Sequence, residues 1–284
     1  MTKLSLNTWS LQKVLGPLRT ARWDEEAQAH KLAEEDAPEE MSLLELPKAL
    51  REKGFAAAEV SYAQFRDTSE RYLTEVEKAF ADAEVEFASL LLDYGDLSSG
   101  DLYRRNADIA WTREWLGRAS LAGAKRVRVS PGEAPPDDEL ALERSGEALR
   151  ELSKAAEELG VRLVIENIGR LGSTAVNCLS LLGRCEGRLG FTADFGNFPE
   201  DKYRQLHYVL PRAETVHAKA LIREGDRIDE EDFRRCLELA ADSGFDGICS
   251  LVYEGQGDPW SGIERIRRLT SPLLEKSGQS HSRG

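Results

Sequence analysis

The sequence predicts an α/β protein, a single eight-stranded parallel (β/α)8 barrel with a long insertion after strand 1. Three observations carry that prediction. Short apolar runs alternate with helical stretches eight times along the chain. The clearest run, Val161-Arg162-Leu163-Val164-Ile165-Glu166-Asn167, is entered from an Ala/Glu/Leu-rich helix and left through Gly169. It is almost wholly apolar, the pattern of a strand buried on both faces of a parallel sheet. The length of 284 residues is ordinary for one such barrel, and nothing in the composition marks a second domain. Residues 1–276 are therefore assigned to the barrel and residues 277–284 to a polar C-terminal tail.

In order, Lys3 to Trp9 reads as strand one, with Leu4 and Leu6 alternating and Asn7-Thr8-Trp9 at its end. Ser10 to Glu40 is a long charged insertion that carries Trp23, His30 and a Glu-rich middle. A connection of this length in a compact domain is either functional, here a lid over the barrel mouth, or a disordered insertion. Ser42-Leu43-Leu44-Glu45 is a capping-box pattern that opens a helix ending at Gly54. Phe55 to Ser61 is strand two, Thr68 to Ala83 a helix and Val85 to Leu92 strand three. Asp101 to Ala122 is a helix with Trp111 and Trp115 four residues apart on one face, assigned to packing against the barrel. Ala124 to Ser130 is strand four, where Val127 and Val129 alternate with Arg126 and Arg128. The helix Asp138 to Leu159 leads to strand five, Val161 to Asn167. The helix Ser173 to Leu182 leads to strand six, Leu189 to Phe195. The helix Asp201 to Leu210 leads to strand seven, Glu214 to Ala220. The helix Asp229 to Ser243 leads to strand eight, Phe245 to Glu254, and a last helix, Pro259 to Glu275, closes the ring.

The chain is 41% hydrophobic and 31% charged, which supports a sizeable core, and its formal net charge of -13 repels nucleic acid and anionic membranes. The four cysteines, Cys178, Cys185, Cys236 and Cys249, form no C-x-x-C pair and read as reduced thiols. With no signal-peptide pattern at Met1 to Asn7 and no run of roughly 20 apolar residues, a cytoplasmic location is expected.

The chemistry lies where strands end, because active sites of such barrels sit at the C-terminal face. Glu166, Asp194, His217 and Glu254 fall at or near the ends of strands five, six, seven and eight, which are neighbours around a barrel. Singly, each has an ordinary explanation: Glu166 as a helix cap or ion-pair partner, Asp194 as a turn residue, His217 as a core histidine, Glu254 as a loop cap. Together they form a hard, oxygen-rich set that suits Mn²⁺, Mg²⁺ or Co²⁺ better than a structural zinc. Carboxylates packed together without a cation would repel until one took a proton, so one divalent ion is the economical cofactor. Mn²⁺ is preferred, with Mg²⁺, Co²⁺ or Zn²⁺ as substitutes.

On Ile165-Glu166-Asn167, Ala193-Asp194-Phe195-Gly196-Asn197, Val216-His217-Ala218-Lys219 and Val252-Tyr253-Glu254-Gly255, the chain resembles the xylose isomerase-like TIM barrels. These are sugar isomerases and epimerases grouped with endonuclease IV. The resemblance spans nearly the whole chain. It implies that Glu166, Asp194, His217 and Glu254 bind one divalent metal, and that Glu166 and Glu254 act as an acid/base pair. It further implies a substrate contact from Arg223, six residues beyond His217. The chain departs from many relatives at Asn197, where they have His, and at Ala220, where they have Asp. Asn197 keeps a hydrogen bond for a sugar hydroxyl but is neither an imidazole ligand nor a base.

The expected function is a metal-dependent sugar isomerase or epimerase working through an enediolate of a ketose or related polyol. Lys219 is expected to neutralise developing charge or to pair with a ligand carboxylate, and Asn7 to bond a hydroxyl. Trp9, Phe195, Tyr253 and Trp260 are candidate apolar walls. Two alternatives stand: a lyase or dehydratase that starts with the same proton abstraction, and a non-catalytic sugar-binding barrel. Endonuclease chemistry needs more histidines than the four present. The expected partner is a small sugar, with a homo-oligomer possible.

Overall fold

In a computed structural model of the chain, which describes residues 2–279 and side chains as far as Thr270, the apolar runs form strands with almost no solvent on either face. β2 (Ala57–Ser61), β6 (Gly190–Asp194) and β8 (Ile248–Val252) are buried at every position. β1 (Lys3–Asn7), β3 (Glu86–Leu92), β4 (Arg126–Val129), β5 (Arg162–Glu166) and β7 (Thr215–Lys219) are buried at most of theirs. The eight pair in parallel and in sequence order, and β8 returns to β1 to close a barrel. Alternation divides each strand between two cores. Ala58 and Val60 of β2 face the main core under the helices, whereas Ala57 joins Ala88 and Ile248 in a small separate cluster.

Helices α1 (Leu46–Glu52), α2 (Glu70–Asp82), α3 (Leu102–Leu121), α4 (Glu139–Glu158), α5 (Ala175–Arg184), α6 (Lys202–Val209), α7 (Glu230–Asp242) and α8 (Pro259–Gln279) follow the strands. Several begin at a side chain that accepts a free backbone N–H of the first turn. Ser69 accepts from Tyr72, Asp138 from Ala141, Thr174 from Asn177 and Asp229 from Asp232. Two predicted starts move. Thr174 takes the capping position, so α5 begins at Ala175. Glu45 accepts the Ser42 backbone N–H at 2.9 Å, the expected capping-box bond, and a turn then leads into α1, whose regular part begins at Leu46.

The insertion is an ordered antiparallel hairpin, Leu18–Asp24 against Ala29–Glu35, closed at its base by a bridge between Leu15 and Glu39. It is docked on α3. His30 Nε2 lies 2.9 Å from Asp108 Oδ1, and the His30 ring meets Trp23, Tyr94 and Trp111 edge-on. Trp115 is buried, as the barrel-packing assignment requires. Trp111 instead joins α3 to the hairpin, a role hidden from its helical spacing. A second, small hairpin follows β7, pairing Ile222–Arg223 with Arg227–Ile228. At the C-terminus residues 277–279, read as the start of a tail, continue α8, and residues 280–284 lie outside the described residues. Among the described residues no helix is long and apolar enough to cross a membrane.

Candidate functional site

The ends of β5, β6 and β7 bring Glu166, Asp194 and His217 together. One ligand atom from each lies within 4.8 Å of the others, and all three residues are buried. Neighbouring strands in register force this meeting: Glu166 pairs with Thr192, and Asp194 with His217. Asn167 then locks the spacing. Its Nδ2 donates to the Asp194 carbonyl at 3.0 Å, and its Oδ1 accepts the Asp194 N–H at 2.7 Å. Gly196 donates its N–H to Asp194 Oδ1 at 2.6 Å, and a Cβ there would press on Lys219 Cδ at 3.1 Å.

His217 points the correct nitrogen inward. Its Nδ1 faces Glu166 Oε1 at 3.3 Å and Asp194 Oδ2 at 3.6 Å, while Nε2 is held by Glu59 Oε2 at 2.8 Å. A carboxylate behind the imidazole fixes ring and tautomer, leaving Nδ1 free to bind a cation. Glu59 is fully buried in the middle of β2, where the pairing with β3 slips by one residue between Ala58 and Glu59. The extra residue, Ala88, lies on β3, and Glu59 keeps the alternation of β2, on the inward face with Ala57. Glu59 lies within strand two of the sequence, where nothing in the neighbouring residues marks a role for it.

Arg128, which the sequence shows only as alternating with Val127 and Val129, also belongs to the site. Its side chain is 4% exposed, with Nη2 2.6 Å from Asp93 Oδ1 and Nε 2.9 Å from Glu166 Oε2, the latter an ion pair without hydrogen-bond alignment. Burial alone would raise the Glu166 carboxyl, but His217 and Arg128 beside it bring it down to about 2. Asp194 moves up, because burial and the Glu166 charge outweigh the hydrogen bond from His217. Burial opposes a charge on His217, yet Glu166 and Glu59 raise its proton affinity well above the usual imidazole range. The cluster calls for positive charge at its centre. Glu166 Oε2 and Glu59 Oε1 are moreover buried without a hydrogen-bond partner. Two carboxylate oxygens and an imidazole nitrogen in this setting fit a hard divalent ion.

A cavity of about 240 Å³ opens over the cluster. Asn7, Trp9, Asn197, Lys219 and Glu254 line it, as the sequence reading requires of a site. Asn197 Nδ2 donates to Glu166 Oε1 at 2.9 Å. Asn7 Oδ1 accepts the Trp9 N–H at 2.9 Å. Glu254 stands apart from the three-residue cluster: its carboxylate is 36% exposed and pairs with Lys219 Nζ at 2.8 Å. Arg223 does not line the cavity. It sits on the small hairpin, where its guanidinium is taken by Asp229 at 2.8 Å. Phe195 packs on Phe233, Tyr253 bonds Asp226 at 2.6 Å, and Trp260 stacks under Lys53, so these three rings do not wall the cavity.

A closed parallel barrel with its polar cluster at the C-terminal strand ends defines the class of protein. Residues 47–270 match the family described as xylose isomerase-like TIM barrel, and the chain belongs to that family. Its structure is similar to that of an L-ribulose 3-epimerase, with 14% identity over 99% of this chain and 97% of that one and a TM-score of 0.71. It is similar to D-psicose 3-epimerase with D-tagatose from Clostridium cellulolyticum H10, at 18% identity, 97% and 98% coverage and a TM-score of 0.63. A xylose isomerase-like TIM barrel protein from Mycobacterium smegmatis, in complex with magnesium, matches at 18% identity, 82% and 89% coverage and a TM-score of 0.59. At these identities the likeness shows the fold. No curated protein sequence matches the chain.

Proposed function

We propose that this protein is a divalent-metal-dependent isomerase or epimerase of a ketose or related polyol, with Mn²⁺ preferred and Mg²⁺, Co²⁺ or Zn²⁺ as substitutes. The observation that carries the reading is the buried Glu166–Asp194–His217 cluster with the imidazole turned inward by Glu59. Those three residues would hold the ion, with Glu254 as fourth ligand, and when bound it acts as a Lewis acid on the substrate carbonyl. The family and the sugar epimerases of like fold support the same direction.

Glu254 moves the proton. Its carboxylate lines the cavity beside Lys219, within reach of a bound sugar. It removes the proton from the carbon next to the carbonyl, and the Lys219 ammonium neutralises the charge that develops on the enediolate oxygen. Asn7 and Asn197 take sugar hydroxyls, and Trp9 offers an apolar face. Glu166, beside Arg128 and His217, is the second carboxylate of the acid/base pair: return of the proton by Glu254 itself gives isomerisation, and delivery from the opposite face by Glu166 gives epimerisation. The Lys219–Glu254 pair also supports a second reading, a dehydratase. After the same proton removal, the C–O bond one carbon further on breaks, Lys219 supplies the proton to the departing hydroxide, and water leaves. Four buried, unpaired thiols support the cytoplasm as the working compartment.

The test is elemental analysis of the purified protein and of His217→Ala, followed by incubation of pentuloses and hexuloses in D₂O. One divalent ion per chain, lost in the mutant, and deuterium incorporation abolished by Glu254→Gln are the expected results. Growth of ultraviolet absorbance from an unsaturated carbonyl product would favour the dehydratase. Absence of metal after incubation with Mn²⁺ would overturn both readings.

A further inference from the structure

We propose that the crevice beneath the insertion hairpin is a second binding site, specific for a small planar ring carrying a negative charge. The crevice has a volume of about 250 Å³, close to that of the barrel mouth, and shares no lining residue with it. Its walls are aromatic. Tyr62 and Phe65, from the loop after β2, meet Trp115 edge-on at 5.5 and 5.8 Å, and Trp111 stands 6.1 Å from Trp115. Tyr62, Phe65 and Trp115 are nearly buried and Arg118 lies 4.8 Å over the Trp115 ring, so the half-buried Trp111 is the ring on which a further flat ring would rest.

The charge of the lining is the reverse of the protein's. The chain carries 51 acidic and 38 basic residues, yet Arg19, Arg66 and Arg118 line the crevice against a single carboxylate, Asp67. Asp67 is already engaged, accepting the Ser69 N–H at 2.9 Å and the Ser69 hydroxyl at 2.6 Å. Arg19 and Arg118 hold exposed glutamates, Glu34 at 2.9 Å and Glu114 at 3.0 Å. Such solvent-exposed pairs are weak and easily exchanged for a ligand anion. Arg66 has no carboxylate partner among the described residues; its guanidinium lies 5.1 Å from the centre of the Tyr72 ring. Guanidinium forks over aromatic walls recognise a carboxylate, sulfonate or phosphate on a flat ring.

The probes are 8-anilinonaphthalene-1-sulfonate and its uncharged counterpart N-phenyl-1-naphthylamine, titrated against the full chain and read by energy transfer from tryptophan. One saturable site is expected, with the sulfonate bound about tenfold more tightly than the neutral ring, as one charge-assisted contact gives. Arg66→Glu should remove that preference and leave the neutral probe unchanged. His217→Ala, in the barrel mouth, should leave both titrations unchanged. Equal affinity for the two probes in the parent protein, or no saturable binding, would overturn the proposal. So would loss of binding in His217→Ala, which would place the probe in the mouth. Circular dichroism of Arg66→Glu, whose side chain forms no ion pair to lose, checks that the fold is intact.

Discussion

The barrel mouth and the crevice under the hairpin are nearly equal in volume and opposite in construction. Strand ends build the mouth, with charges buried and matched inside it: Arg128 spans Asp93 and Glu166, and Glu59 backs His217. An inserted hairpin and a helix face build the crevice, where the cations keep part of their solvent. Arg19 retains 29% of its side-chain exposure, against 4% for Arg128. Buried charges are costly unless every partner is in place, so they persist where the backbone is most rigid. Buried, matched charge belongs on strand ends, and exchangeable charge on an added element.

The strongest way to break this contrast is Arg128→Met. Removing one member of a buried ion cluster should cost about 3–5 kcal/mol in urea denaturation of the metal-free protein. Mn²⁺ should restore part of it, because the ion supplies the missing positive charge. An unchanged midpoint would mean that the cluster is not charge-coupled. On the crevice side, Trp115→Ala should cost about 3 kcal/mol through the cavity it opens, with Mn²⁺ affinity unaltered. Glu59→Gln should weaken Mn²⁺ binding by about 10–100-fold in calorimetric titration, the usual effect of removing a partner that orients a ligand. The fold should be retained. Asp101 accepts the N–H groups of Tyr103 and Arg104 at the start of α3, and Asp101→Ala should cost about 1 kcal/mol in thermal unfolding.

The smallest effect concerns the thiols. Burial pushes Cys178, Cys236 and Cys249 up to about 12. Near pH 8 they should resist iodoacetamide in the native protein and react in urea. The folded chain keeps these protons while the unfolded chain loses them from about pH 9, so stability should fall as pH rises between about 9 and 12. Rapid native labelling at pH 8 would contradict their burial.

The barrel was legible because eight dry strands with capped helices between them leave few other ways to bury the chain. Glu166, Asp194 and His217 were legible as a set: each alone has an ordinary structural use, but the ends of successive strands bring them together. Glu59 was not, since its role depends on a histidine 158 residues away. Arg128 alternates with Val127 and Val129 as in a half-exposed strand, but in a closed barrel the polar side faces the interior. Arg223 falls outside the cavity lining, because a hairpin of two-residue strands turns its side chain toward Asp229, which spacing after His217 does not reveal.

Closure of β1 against β8 has a consequence for synthesis. Ser5 and Ser250, whose hydroxyls meet at 3.3 Å, are 245 residues apart in the chain. At about 5–20 residues per second, the first strand waits roughly ten to fifty seconds on the ribosome for its last neighbour. Through that interval β1 and each newest strand are open edges, able to pair with another nascent chain. Glu59, Glu166, Asp194 and His217 are all made before β8, and Glu254 two residues after it, so the mouth lacks its last carboxylate until the strand that closes the ring has been made.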